Sequence, residues 1–215
     1  MRHSVFFALL SAVFLLTACS KVKKTFWPNG DIKTEITTLG GNYEGPANYW
    51  YENGNLQTTC FYKNNKIEGL LKSYYSSGYL QVEQTYKNGQ LNGLVKSYDR
   101  SGKLESESNY TDGNLNGRYA EYYANKLLKI EGQYASGNHE GTWLYYDPDG
   151  MVIGEGVFSQ GNGLQKAFFS NGSTKQLTHY THNLKDGDDV FYKPNGSIDF
   201  INKYHNGKLL GRHKK

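Results

Sequence analysis

The side chains that most often do chemistry are sparse and scattered in this sequence. Its six histidines are His3, His139, His179, His182, His205 and His213. His179 and His182 are three residues apart, which on a β-strand sends them to opposite faces, a poor geometry for sharing a metal ion. Asp147-Pro148-Asp149-Gly150 opens like a calcium loop but lacks the later acidic ligands, so it reads as a plain turn. Asp186, Asp188 and Asp189 flank Gly187 and read as a solvated acidic turn with weak affinity for a cation at most. Cys60 has no His or second Cys at a catalytic or metal spacing and reads as a small buried strand residue. No serine lies in a nucleophile-elbow sequence, and there is no phosphate loop. Without an acid/base constellation, the expectation is a protein that is not an enzyme and uses neither metal nor cofactor.

The composition points to strands instead. The chain of 215 residues holds 25 Gly and 19 Tyr but only 4 Pro and 2 Met. Such a mixture favours strands joined by tight turns. The formal net charge is +4 with both signs interspersed, which lacks the clustered Lys and Arg of a nucleic-acid surface.

The N-terminus differs in kind. Arg2 and His3 precede the apolar run VFFALLSAVFLL (5–16), which is followed by LTAC (16–19). A basic start, a short apolar core and a small-residue cleavage site describe a secretory signal. The run is too short for a transmembrane helix, which needs about 20 apolar residues. Its end resembles the lipobox of bacterial lipoproteins. That resemblance implies cleavage after residue 18 and a lipid on Cys19, with the lipid, palmitate included, anchoring the chain to the cell envelope. Ser20 follows the Cys, and in a Gram-negative cell the absence of Asp there implies the outer membrane, facing the periplasm. The organisation expected is a signal at 1–18, a lipidated Cys and short tether at 19–26, and one repeat domain at 27–215.

That domain repeats with a period of 24 residues. Units begin at Trp27, Tyr51, Tyr75, Asp99, Tyr123, Asp147, Phe169 and Lys193, the sixth being two residues short. Position 4 is Gly except for Lys126, position 12 is aromatic except for Thr38, position 19 is always Gly, and position 24 is aromatic in every complete unit. Each unit carries two turn signals, such as Asn88-Gly89 and Asp112-Gly113 in one series and Asn53-Gly54 and Asn171-Gly172 in the other. Asn-Gly and Asp-Gly supply the positive φ of two-residue hairpin turns. Each unit is therefore expected to be one hairpin. The predicted fold is all-β: an elongated single-layer antiparallel meander of about eight 24-residue hairpin repeats, with sixteen strands at about 4.8 Å spacing reaching roughly 75 Å.

The register follows from the turns. With Asn88-Gly89 as a two-residue turn, Tyr86 faces Leu91. With Ser77-Gly78 as the next, Ser76 faces Tyr79 and Lys72 faces Glu83, and one unit on Lys96 faces Glu107. Such cross-strand ion pairs favour the register by about 0.2–1 kcal/mol each. Period-two alternation then puts Cys60, Tyr62, Leu71, Val95, Tyr119, Tyr134, Trp143 and Tyr145 on one face, with Lys72, Glu83, Lys96, Glu107 and Glu131 on the other. The position-19 glycines are expected on the apolar face, where bare backbone would be covered by an aromatic ring. The basic end, GRHKK (211–215), is expected to protect the last strand edge.

The segment YASGNHEGTW (134–143) resembles the membrane occupation and recognition nexus (MORN) repeat, and the period with Y-x-N-G-x-L is similar to its bacterial variant, a group in which many proteins are YwqK-type antitoxins. The departures are Lys126, Thr38, the short sixth unit, and a position-10 glycine only at Gly132 and Gly156. The resemblance implies a twisted hairpin-repeat sheet. The functional expectation is a membrane-anchored, non-catalytic protein-interaction module or scaffold, its partner an unknown protein and not nucleic acid; the alternative is an immunity protein or antitoxin that neutralises a toxin. Tyr and Trp combine apolar area with a polar handle and are enriched at interfaces. The partner-binding candidates are Tyr75, Tyr119, Tyr123, Trp143 and Tyr145, all expected on the apolar face.

Overall fold

The structure is a computed structural model that describes residues 19–214. The expected signal at 1–18 lies outside the described residues. Strands follow one another as β1 (Ser20–Phe26), β2 (Ile32–Leu39), β3 (Asn42–Trp50), β4 (Leu56–Lys63), β5 (Lys66–Ile67), β6 (Gly69–Tyr74), β7 (Leu80–Lys87), β8 (Gln90–Tyr98) and β9 (Leu104–Thr111). They continue as β10 (Asn114–Tyr122), β11 (Leu128–Ala135), β12 (Asn138–Tyr146), β13 (Val152–Ser159), β14 (Asn162–Phe168), β15 (Thr174–Thr181), β16 (Leu184–Tyr192), β17 (Ile198–His205) and β18 (Lys208–Lys214). Strands β5 and β6 are one strand interrupted at Glu68, and both pair with β4. Otherwise each strand pairs antiparallel with the next, from β1 to β18, in a single open sheet. The residues after Cys19, read in the sequence as a tether, form edge strand β1 on β2. This explains Thr38 at an aromatic position: its hydroxyl donates to the Lys21 carbonyl at 3.2 Å.

Two kinds of reversal alternate. One series is built from Gly40-Gly41, Asn64-Asn65, Asn88-Gly89, Asp112-Gly113, Ser136-Gly137, Gln160-Gly161, His182-Asn183 and Asn206-Gly207. Both residues of each pair have positive φ, between +47° and +93°. These are the expected two-residue turns, with the backbone twist that antiparallel strands require. The other series departs from expectation. In Asn53-Gly54, Ser77-Gly78 and Asn171-Gly172 only the glycine has positive φ. Tyr75 N–H donates to the Tyr79 carbonyl, and Gly78 N–H to the Tyr75 carbonyl, each at 2.8 Å. The loop therefore has three residues, Ser76–Gly78, and Tyr75 rather than Ser76 stands against Tyr79. A one-residue shift between Ser73 and Tyr74 absorbs the difference, so Lys72 still faces Glu83. Lys96 likewise faces Glu107, and the two ion pairs close at 3.0 and 3.2 Å.

The position-19 glycines have a different cause from the one expected. Tyr86 faces Leu91 while Gln84 faces Val95, so Asn92, Gly93 and Leu94 oppose the single residue Thr85. Gly93 sits in this bulge with φ +126°, and Gly45, Gly69, Gly117, Gly141 and Gly187 are likewise left-handed. Bulges of this kind need a residue without a Cβ. Ring-covered glycine does occur, but at position 10: a Cβ on Gly132 would collide with the Trp143 ring, and one on Gly156 with the Phe158 ring. The sixth unit is short because it lacks the bulge. Strands β13 and β14 pair without a shift, and Gly163 lies so close to the Val157 carbonyl that a Cβ would overlap it.

Where the sixth turn is drawn in, Asn183 of the seventh reaches over it to the fifth. Its amide donates to the Gly137 carbonyl at 3.2 Å and to Asn138 Oδ1 at 3.1 Å, and its Oδ1 accepts from His139 N–H at 2.9 Å. Glycine tolerates the φ of +64° found there, so Asn183→Gly removes only these bonds. We expect stability to fall by about 1–3 kcal/mol, read as a lower urea midpoint. Lys126, left-handed at +71°, should behave oppositely: Lys126→Gly relieves strain and raises stability by about 1 kcal/mol.

Candidate functional site

The two faces sort as the alternation predicts through the first five units. Ala47, Cys60, Leu71 and Val95 are buried on face A, with Tyr62, Ile67 and Tyr86 packed around them. Burial pushes the Cys60 thiol above its ordinary range, which favours the neutral thiol in this apolar cluster. Face B carries the ion pair Lys72–Glu83 and, beside it, the run Lys96–Glu107–Arg118–Glu131. Tyrosines of position 24 complete it: the hydroxyls of Tyr98, Tyr122 and Tyr146 donate to Glu83, Glu107 and Glu131 at 3.1, 2.9 and 2.6 Å. Burial and the Glu83 carboxylate push the Tyr98 hydroxyl up to about 12. Lysine and hydrogen bonds hold Glu83 below the usual carboxylate range.

On face A, β10 to β15 bring together an aromatic band. Tyr134 meets Tyr119 and Trp143 edge to face, at centroid distances of 5.6 and 5.0 Å. His139 lies 4.4 Å from Trp143 and 5.1 Å from Phe158, which in turn meets Tyr180 at 5.6 Å. Such geometries contribute about 0.5–1.5 kcal/mol per pair beyond area burial. Trp143 is the centre of the band and only 3% exposed. Tyr119, Tyr134 and Tyr145 are half-buried. Tyr119 donates to Glu121 at 2.6 Å; burial, then that carboxylate, raises its pKa. Burial raises those of Tyr134 and Tyr145 as well. His139 Nδ1 and Trp143 Nε1 are buried without a hydrogen-bond partner.

Three of the five residues singled out in the sequence, Tyr119, Trp143 and Tyr145, lie on this band. Tyr75 and Tyr123 do not join them. Each opens a three-residue loop at the sheet margin and donates its hydroxyl to a backbone carbonyl, Tyr75 to Tyr98 at 2.9 Å and Tyr123 to Tyr146 at 2.7 Å. Tyr51 does the same to Tyr74 at 2.8 Å. Cys19 is exposed at the start of β1.

From the sixth unit onward the central rows of the two faces change character. The core row of face A continues as Gln165, Thr178, Asp189, Asn202 and Arg212. The neighbouring row of face B turns apolar, with Leu144, Leu177, Val190 and Ile201. Asp189 is not in a solvated turn, as the sequence suggested. Gly187 is a bulge residue inside β16, and two residues on Asp189 is directed into face A, 1% exposed. It accepts from Gln176 Nε2 at 2.6 Å and Thr178 Oγ1 at 2.7 Å, and pairs with Lys185 Nζ at 3.2 Å. Arg212 donates to Asn202 at 2.9 Å and stands 4.4 Å over the Phe200 ring. This polar cluster abuts the aromatic band through Tyr180, whose hydroxyl donates to Gln165 at 3.0 Å. The sequence signal for it was present: the core row, which upstream alternates Leu71 and Val95 with Gln84 and Ser108, becomes polar at every strand from Gln165 onward.

Among the described residues no group of three or more His, Cys, Asp or Glu converges on a metal site. His179 Nδ1 bonds the Asp188 carbonyl at 2.8 Å, and His182 sits in a turn. Asp147 Oδ1 accepts from the N–H groups of Asp149 and Met151, the plain turn expected.

Four stretches, residues 43–64, 67–88, 91–112 and 140–160, match the family model described as MORN repeat variant. No curated protein matches the chain. A solved structure, the crystal structure of TcdB2-TccC3-TEV, is 12% identical over 85% of this chain. The chain spans only 12% of that chain, and the TM-score of 0.23 is too low for the likeness to bear on fold or function.

Burial lowers the His139 pKa from 6.5, so the folded band favours neutral imidazole. The unfolded chain binds the proton first, and this contribution to stability is present above about pH 6.5 and lost as pH falls below it. Urea unfolding of His139→Phe should show a shallower loss of stability between about pH 7 and 5 than the unsubstituted protein. Parallel profiles would mean that the imidazole does not titrate differently on folding.

Proposed function

We propose that this chain is a non-catalytic protein-interaction module whose binding surface is the aromatic band of face A, and that lipid on Cys19 holds it at the cell envelope. The observation that carries the reading is the band itself: a contiguous set of tyrosine rings, half-buried and braced around Trp143, on a rigid repeat sheet. Rings fixed in advance lose little conformational freedom on binding. The MORN-variant repeats agree with a repeat interaction module. The lipobox-like sequence supports the anchor, and the exposed Lys21 and Lys23 beside Cys19 would assist it, since one lipid chain holds better with basic residues near an anionic surface.

The test is a crosslinked capture from envelope extract. Tyr119→Ala with Tyr145→Ala should lose a specific protein partner at least about tenfold while the sheet stays folded. Tyr75→Phe and Tyr123→Phe should retain that partner and cost about 1 kcal/mol of stability each, since their hydroxyls serve the sheet. The reverse pattern would move the binding surface to the loop margin. If the partner captured is a toxin, the module is an immunity protein; capture unaffected by any of the four substitutions would refute the band as the site.

A further inference from the structure

Face B of the sixth unit exposes Ile153, Val157 and Leu164, by 42%, 61% and 41%, as the second unit exposes Phe61 and Leu70 and the third Leu94. Val157 and Leu164 are direct cross-strand partners. The apolar row Leu144, Leu177, Val190 and Ile201 runs beside them. No element of the chain lies over this face among the described residues, because the sheet is a single layer.

At the centre of the patch are two charges. Glu155 and Lys166 face each other across β13 and β14, with Leu144 on one side and Leu177 on the other. Their contact is loose, 3.6 Å, and the side chains are 43% and 46% exposed. An acid and a base side by side in an apolar surround form a self-complementary pattern. A two-fold axis through this point sets each Glu155 over the partner's Lys166, as an isologous interface demands. An unrelated partner would have no need of that symmetry.

We propose that this patch is a homodimer interface, in which the face B surfaces of two copies pack sheet on sheet. The arrangement supplies the second layer that a sheet with an apolar face ordinarily requires. An axis between β13 and β14 lays β12 to β15 on the same four strands of the second copy, at about 4.8 Å by roughly 26 Å of strand, on the order of 500 Å² per copy. Two such surfaces bury about 1,000 Å², the size of a small, reversible interface. Face A and its aromatic band remain free on both copies, so the dimer is independent of the partner surface proposed above.

Native mass spectrometry and sedimentation of the full chain in detergent test the proposal. The unsubstituted protein should dimerise reversibly in the micromolar range. Val157→Glu should weaken the dimer at least about tenfold with the melting temperature unchanged. Glu155→Lys alone and Lys166→Glu alone should each weaken it by setting like charges across the axis, yet the two variants mixed should form a heterodimer. That rescue separates contact between copies from the contact within one copy. A protein monomeric up to about 100 µM, or a dimer indifferent to these substitutions, would overturn the proposal.

Discussion

The structure depends on reversing the chain, twice per unit, into a ladder with nothing above or below it. A sheet in one layer has no second core to pull a misplaced strand into register. The turns must do that, and they do it through backbone angles few residues accept. Sixteen residues in eight two-residue turns hold positive φ, and that requirement fixes Gly, Asn, Asp and a few tolerant substitutes there. Position 18 shows how the turns are braced. Glu44, Glu68 and Glu140 accept the first turn N–H of the following unit at 2.7, 2.7 and 2.8 Å, and Asn116 and Asn162 do so at 3.3 and 3.1 Å. Five of the eight turns are thus satisfied by the neighbouring unit, which couples successive units along the sheet.

The same economy governs the loop margin. A tyrosine at position 1 spans its unit to bond the carbonyl at position 24, so the aromatic signal there is a polar contact as much as an apolar one. The aromatic density that catches the eye in this sequence serves two purposes. Margin tyrosines tie rungs together; band tyrosines cover backbone and offer ring area. The proposed binding surface is built on the second group.

The fold was legible because its determinants are local. Asn88-Gly89 states its own geometry, and the pairing of Lys72 with Glu83 followed by counting. What sequence could not separate was a two-residue turn from a three-residue loop closed by glycine, because Ser77-Gly78 and Asn88-Gly89 look alike while only the second needs two left-handed residues. The bulge glycines were visible as a column, but their cause was not: a ring over bare backbone and a positive φ both ask for Gly. The braces at position 18 were also in plain sight as Glu or Asn in most units, and were missed because no local pattern connects residues twenty apart. Of the site, Trp143 and its neighbours were legible by face. His139 was not, since nothing in its spacing announces an aromatic enclosure.

The change of polarity in the central rows of the two faces raises the question of a slipped register, and the sixth unit answers it. Losing one residue would turn every following side chain to the other face. This unit loses two, and those two are the bulge. Removing an even number leaves the alternation in phase, as the unbroken pairing of Gly156 with Gln165 and of Gln165 with Thr178 demonstrates. Asp189 therefore occupies the row that Leu71 and Val95 occupy upstream, and Val190 the row of Lys72 and Lys96. The change is written in the side chains while the backbone continues unchanged. A repeat sheet can carry such a change only because its stability is summed unit by unit, with no common core to be disrupted. One scaffold thereby holds an aromatic surface on one face and an apolar surface on the other, side by side along the same strands.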